Sequence, residues 1–233
     1  MGAVQVGSAL LAGLFGDMQT NYKFIIMCGG TYPKWETPRQ LTRICGEPLV
    51  ARTIRQLREA GIEDIAISSG DPIFEQFGVP ILKHENAYVM DGNKYKGGSW
   101  CNCFYPTEEP CCYLFGDVVF SPEAIKTIIE TETDDIEFFA SAPPYAPEYI
   151  KPYAEPFALK VADTNHLKHA ISLTKQCADR GLFERPPIMW ELWQVIRGAP
   201  LNHIDYGSYT PINDYTCDVD YAEDAKQIEK FLG

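Results

Sequence analysis

The stretch that decides the fold runs from residue 24 to 41: Phe24-Ile25-Ile26-Met27-Cys28-Gly29-Gly30-Thr31-Tyr32-Pro33-Lys34-Trp35-Glu36-Thr37-Pro38-Arg39-Gln40-Leu41. The apolar run at its start is too brief for a helix and ends in two glycines, so it reads as a buried strand running into a tight loop. Glycine has no Cβ and accepts positive φ, which lets backbone N–H groups approach a ligand closely. Lys34 and Arg39 place positive charge beside that loop. These are the parts of a phosphate cradle, and a plain surface turn after a core strand is the competing reading on local evidence.

Working outward, Gly46-Glu47-Pro48 turns the chain into a helix over about 49–60, with Val50, Ile54 and Leu57 on one apolar face and Gly61 at the C-terminal cap. Residues 64–69 read as a second strand, so 24–69 forms a strand–helix–strand unit with parallel strands and a right-handed crossover. A helical turn near 73–77 and a brief strand at 80–83 follow. Residues 85–98 are polar and read as a loop, and 100–105 as a short helix. Cys111-Cys112-Tyr113-Leu114-Phe115 is a continuous apolar run, as expected of a central strand buried on both faces, and it stops at Gly116-Asp117. Ser121-Pro122 opens a helix to about 132, with Ser121 as N-cap. Later strands are expected at 136–140, 157–161, 201–205 and 215–219, and helices at 167–177, 188–196 and 221–232.

The pattern implies an α/β fold, with 20–233 as one domain carrying an acceptor-side insertion at about 142–200 and 1–19 as an extension outside it. The chain of 233 residues has 45% hydrophobic residues and a net charge of −12. That composition is globular, and the charge argues against a nucleic-acid backbone or an anionic membrane as partner. The eight cysteines lack the paired spacing of a zinc site and fit a reducing, cytoplasmic compartment.

In an open α/β sheet, ligands bind beyond the carboxyl ends of the parallel strands. The glycine loop, Asp117 and Asp218-Val219-Asp220 all fall at such ends. Carboxylates from two strand ends suit magnesium, which takes one or two carboxylates together with waters and phosphate oxygens. Asp117 also reads as an ordinary turn residue. Asp220 fits an N-terminal cap better, because Glu223 stands at the third helical position. Asp218 and Asp220 share one face of an extended segment, and either could be the ligand. The motifs of P-loop ATPases, dinucleotide-binding folds and nucleophile elbows are absent from the sequence.

Ile26-Met27-Cys28-Gly29-Gly30, Thr37-Pro38-Arg39-Gln40-Leu41, Gly46-Glu47-Pro48-Leu49-Val50 and Ala60-Gly61-Ile62 follow one another in an order that resembles the nucleotidyltransferases of nucleotide-activated sugars and alcohols. Asn86-Ala87-Tyr88, Gly98-Ser99-Trp100-Cys101, Gly116-Asp117-Val118-Val119 and Asp218-Val219-Asp220 continue it. The resemblance is nearest the small phosphocholine cytidylyltransferase and sugar-phosphate nucleotidyltransferase branch. It implies a Rossmann-like three-layer α/β/α fold with a mixed, mostly parallel sheet, of the GT-A type. It further implies nucleotide contacts by Cys28, Gly29, Gly30, Thr31, Lys34, Arg39 and Gly98, and magnesium on Asp117 and Asp220. Lys34, Arg39 and Asp117 would carry catalysis, with Arg39 standing where the family has Lys.

The reaction implied joins an NTP to a phosphomonoester and releases pyrophosphate. Lys160 is a candidate for the acceptor phosphate, with a solvated strand-edge lysine as its plain alternative. Trp100, Tyr145, Tyr149, Tyr153, Trp190 and Trp193 could line an acceptor pocket suited to a quaternary ammonium group. Core packing is the stronger reading for Trp190 and Trp193. The partners expected are the NTP and the phosphorylated acceptor, and the assembly considered is a homodimer. A GT-A glycosyltransferase and a non-catalytic nucleotide-binding module are the other two readings.

Overall fold

The computed structural model describes residues 21–29, 35–84, 90–91, 94–141 and 154–232. Its frame is a seven-stranded sheet in the order β12-β10-β11-β8-β1-β4-β5. The strands are β1 (Lys23–Met27), β4 (Ile65–Ser68), β5 (Ile81–Leu82), β8 (Cys111–Phe115), β10 (Ile136–Ala140), β11 (Pro156–Val161) and β12 (Thr210–Pro211). Neighbours from β5 through β4 and β1 to β8 are parallel, and β11 alone runs against the rest. The apolar runs dictate this centre. Residues 24–27 and 111–115 are buried throughout, and they sit side by side in register from Lys23–Cys111 to Met27–Phe115.

Side-chain alternation along β11 fixes the helix layers. Lys160 points to the C-terminal end of α2 (Pro122–Glu130), which lies beside α1 (Leu49–Glu59). The opposite face of β10 carries Phe138, which packs edge-on against Trp190 of α4 (Met189–Ile196). Helix α3 (Thr164–Asp179) lies alongside α4, and α5 (Ala222–Leu232) closes the chain. Local signals explain the boundaries. Gly61 adopts φ +83° just past α1, and the Ser121 hydroxyl accepts the Ala124 N–H at the start of α2.

Three short pairings lie outside the main sheet: β2 (Arg43–Ile44) with β3 (Glu47–Pro48), β6 (Met90–Asp91) with β7 (Lys94–Tyr95), and β9 (Val118–Val119) with β13 (Cys217–Asp218). The β6–β7 pair replaces the loop expected over 85–98. No strand forms at 201–205; the strand on that edge is β12, at 210–211. The strand expected at 157–161 is present, but it is no part of an appendage. β11 sits in the middle of the sheet between β10 and β8, so this strand of the segment 142–200 belongs to the core. Gly30, Thr31, Lys34, Tyr145, Tyr149, Tyr153 and the extension 1–19 lie outside the described residues. Among the described residues, no helix is long and apolar enough to cross a membrane.

Candidate active site

The carboxyl ends of β1 and β8 meet at the floor of a cavity of about 420 Å³. Gly116 makes that meeting possible: its N–H donates to Met27 O at 3.1 Å, and a Cβ there would stand 2.5 Å from the same oxygen. Only glycine allows so close an approach. Asp117 follows directly. Its carbonyl accepts the Val219 N–H at 2.8 Å, which fastens the β9–β13 pair beside it. Val219 and Cys217 then face the core, while Asp218 and Asp220 line the cavity.

Arg39 stands between these carboxylates. Its two terminal nitrogens lie 2.5 Å from Asp117 Oδ2 and 2.5 Å from Asp220 Oδ1. Side-chain exposures of 17% and 18% for Arg39 and Asp117 leave the pair partly screened from water, where an ion pair is stronger than on an open surface. Trp35 Nε1 donates to Asp220 O at 3.2 Å and ties the same corner together. The helix begins at Ala222, so Asp220 stands just before its N-cap position, and a residue of the first turn reaches back to this corner. The Asp224 carboxylate accepts the N–H groups of Asp220 and Tyr221, each at 2.9 Å, while the Asp220 carboxylate pairs with Arg39.

Glu155 joins the acidic group from a direction the sequence did not indicate. Its N–H donates to Ser141 Oγ and its carbonyl accepts the Ser141 N–H, both at 2.9 Å, so the entry to β11 is stitched to the exit of β10. Carboxylate oxygens of Glu155, Asp218 and Asp220 lie within 4.8 Å of one another. Three hard oxygen donors so close together could hold a divalent metal ion. Of the pair expected from sequence, Asp220 belongs to this triad and Asp117 stands beside it, and Arg39 bridges the two.

The far wall is aromatic. Trp100 stands edge-on to Phe115 at 6.2 Å, and Trp190 packs against Tyr206 at 4.9 Å between ring centroids. All four line the cavity together with Arg185, whose Nε lies 2.5 Å from Glu191 Oε1. Glu191 also accepts the Ile188 N–H at the start of α4, which fixes where Arg185 is tethered. Trp193 is plain core, with its indole donating to Ser208 O.

Of the residues singled out from sequence, the structure brings Gly29, Arg39, Asp117, Asp220, Trp100 and Trp190 to this cavity. It does not bring Lys160. That ammonium donates to the carbonyls of Ile128, Ile129 and Thr131 at 3.1, 2.9 and 2.7 Å, and stands 4.7 Å from the centre of the Tyr22 ring. All three donors are used at the end of α2, so neither an acceptor-phosphate role nor a solvated edge describes it. Burial pulls its pKa below the ordinary lysine value. The Cys28 N–H continues the strand ladder to Ser68 O at 3.0 Å and is not offered to the cavity. Gly98 is buried against α3, where a Cβ would stand 2.8 Å from Lys175 Cα. Helix packing accounts for that glycine. The Cys103 thiol, which lines the cavity, is pushed well above its ordinary pKa by burial and makes a poor nucleophile.

A Rossmann-like sheet with a cation and carboxylates gathered at its carboxyl ends has the layout of a nucleotide-handling α/β enzyme. The family profile of the MobA-like NTP transferase domain matches residues 24–176. The chain belongs to this family and is a nucleotidyltransferase. Among solved structures, the inositol-1-phosphate CTP transferase of T. maritima is similar at 15% identity with a TM-score of 0.56, covering 91% of this chain and 97% of that one. A Bacillus anthracis protein assigned as a glucose-1-phosphate thymidylyltransferase, solved with sucrose, is similar at 15% identity with a TM-score of 0.53, covering 90% and 94%. No curated protein matches the chain in sequence.

Proposed function

We propose that the protein is a magnesium-dependent nucleotidyltransferase that joins an NTP to a small phosphomonoester, a sugar 1-phosphate or a phosphocholine-like alcohol phosphate, with release of pyrophosphate. The observation that carries this reading is the Arg39 guanidinium set between Asp117 and Asp220 on the cavity floor. A phosphate oxygen of the acceptor forms a bond to the α-phosphorus of the NTP. The bond from that phosphorus to the bridging oxygen breaks, and pyrophosphate leaves with the electron pair.

Glu155, Asp218 and Asp220 are the residues that would hold magnesium, which when bound supplies charge neutralisation on phosphate oxygens. Arg39 offers a planar fork of donors matched to phosphate oxygens, and its contact with Asp117 fixes the fork's direction. Arg185, at the aromatic end of the cavity, is the cation placed for the acceptor phosphate. Trp100, Trp190 and Tyr206 give the acceptor's body an apolar surface and keep water from the reacting groups. Buried, protonated thiols leave direct transfer as the route, without a covalent enzyme intermediate.

The same ion pairs favour a second reading, binding without turnover, because Arg39 already neutralises two of the carboxylates. Thermal-shift screening of NTPs with magnesium, followed by pyrophosphate release with pooled sugar phosphates and phosphocholine, separates the two. Stabilisation with pyrophosphate release supports the enzyme; stabilisation without release supports the binding module. Failure of every NTP to stabilise the fold rejects both.

A further inference from the structure

A second cavity, of about 440 Å³, lies behind the turn at Ser99–Cys103 and is as large as the first. Its floor is the stripe of α3 formed by Lys168, Ile171 and Lys175, spaced three and four residues apart and therefore on one helix face. Phe104, Tyr105 and Tyr113 form the facing wall. Two polar groups around this cavity are engaged within the protein. The Tyr113 hydroxyl donates to Tyr105 O, and His84 Nε2 is bonded to Asn102 O at 2.5 Å. The lining is mainly apolar, and its cations are Lys168 and Lys175 beside His84. Lys168 is drawn outward to Glu108, an exposed carboxylate 2.5 Å away. Lys175 has no carboxylate partner among the described residues.

The turn that walls off this cavity also serves the first one. Trp100 and Cys103 line the active cavity, and Cys101, Asn102 and Phe104 line the second. A file of edge-to-face rings crosses between them. Tyr113 stands 5.1 Å from Phe104, Phe104 5.8 Å from Trp100, and Trp100 6.2 Å from Phe115. Close-packed rings of this kind cannot shift singly, so an occupant that displaces Phe104 must be accommodated by Trp100. Gly98, pressed against the backbone of α3, fixes the other end of the same turn to the helix that carries Lys175.

We propose that this cavity is an effector site for an amphipathic organic anion, an apolar body carrying one phosphate or carboxylate group, whose binding is read at the active cavity through Phe104 and Trp100. The apolar body lies between Ile171 and the Phe104–Tyr105 wall, and the anionic group pairs with Lys175. This goes beyond the nucleotidyltransferase reading and holds whichever substrates the first cavity takes.

The test titrates the full chain with phenylbutyl phosphate, phenylbutyrate and phenylbutanol by calorimetry, and follows tryptophan emission in the wild type and in Trp100→Phe. At least one anion is expected to bind about tenfold or more tighter than the alcohol, since a charge-assisted contact is worth that much. Whichever anion is tighter tells the phosphate source from the carboxylate source. Lys175→Glu should abolish the preference for anions, and Ile171→Phe, which fills the cavity, should weaken all three compounds. The emission change should vanish in Trp100→Phe. Equal affinity for alcohol and anions, indifference to both cavity variants, or binding with no Trp100-dependent emission change would each overturn the proposal. These readouts need no NTP, so failure here is distinct from failure of the proposed reaction.

Discussion

Two cations, Arg39 and Lys160, belong to strand-end and mid-sheet regions of the same fold and have opposite surroundings. Arg39 faces two carboxylates on a cavity floor, at 2.5 Å each. Lys160 faces three backbone carbonyls at the end of α2. A helix C-terminus carries partial negative charge that binds a cation without offering anything exchangeable. Carboxylates held on the rim of a cavity can exchange one cation for another. The comparison teaches that the role of a buried positive charge follows from what it faces, and it supports the chemical role proposed for Arg39 and a structural one for Lys160.

The largest effect expected from breaking that contrast is on turnover. Asp117→Ala should lower kcat/KM by about 10³-fold, the scale of losing the alignment of a cation aimed at the reacting phosphate, while circular dichroism and melting stay near the wild type. Gly116→Ala attacks the floor beneath both ion pairs. Its Cβ would meet Met27 O at 2.5 Å, so the strand ends must part. A stability loss of about 2 kcal/mol in urea unfolding is expected, together with lost activity because Asp117 moves.

Lys160→Met should cost about 1 to 3 kcal/mol, because the carbonyls it satisfies lose their donor. The activity of the folded fraction should be unchanged, and a raised KM for the acceptor would return Lys160 to the site. The smallest effect is the most specific one. Arg39→Ala removes a cation that competes with divalent metal, so manganese affinity measured calorimetrically in the nucleotide-free protein should rise about tenfold. The same measurement on Lys160→Met should show no change.

Much of this was legible in the chain before the structure. Continuous apolar runs with glycine exits marked β1 and β8 as buried strands, and with them Gly29 and Asp117 at strand ends; that the two strands pair came from the structure. Period-3.6 faces and capping residues placed α1 and α2 to within two or three residues. What failed was information that periodicity does not carry. Glu155 follows a stretch rich in proline and tyrosine, and only the antiparallel entry of β11 beside β10 delivers it to the cavity. Arg185 lies between helices, where local pattern gives no direction. Lys160 was visible as a strand residue, but which face it occupied depended on the register with β8 and β10. Asp220 had two sound uses, cap and ligand, and where the helix starts, at Ala222, could not be read from local pattern to the residue.

The account turns on whether the charges at the strand ends support transfer of a nucleotidyl group. Phosphorus NMR of the full chain with magnesium, an NTP and a phosphomonoester, run beside Asp117→Ala, tests this most directly. The account predicts paired signals of a new diphosphate diester growing in step with pyrophosphate in the wild type, and neither in the variant. Release of inorganic phosphate with accumulation of NDP, or identical time courses for the two proteins, would contradict it.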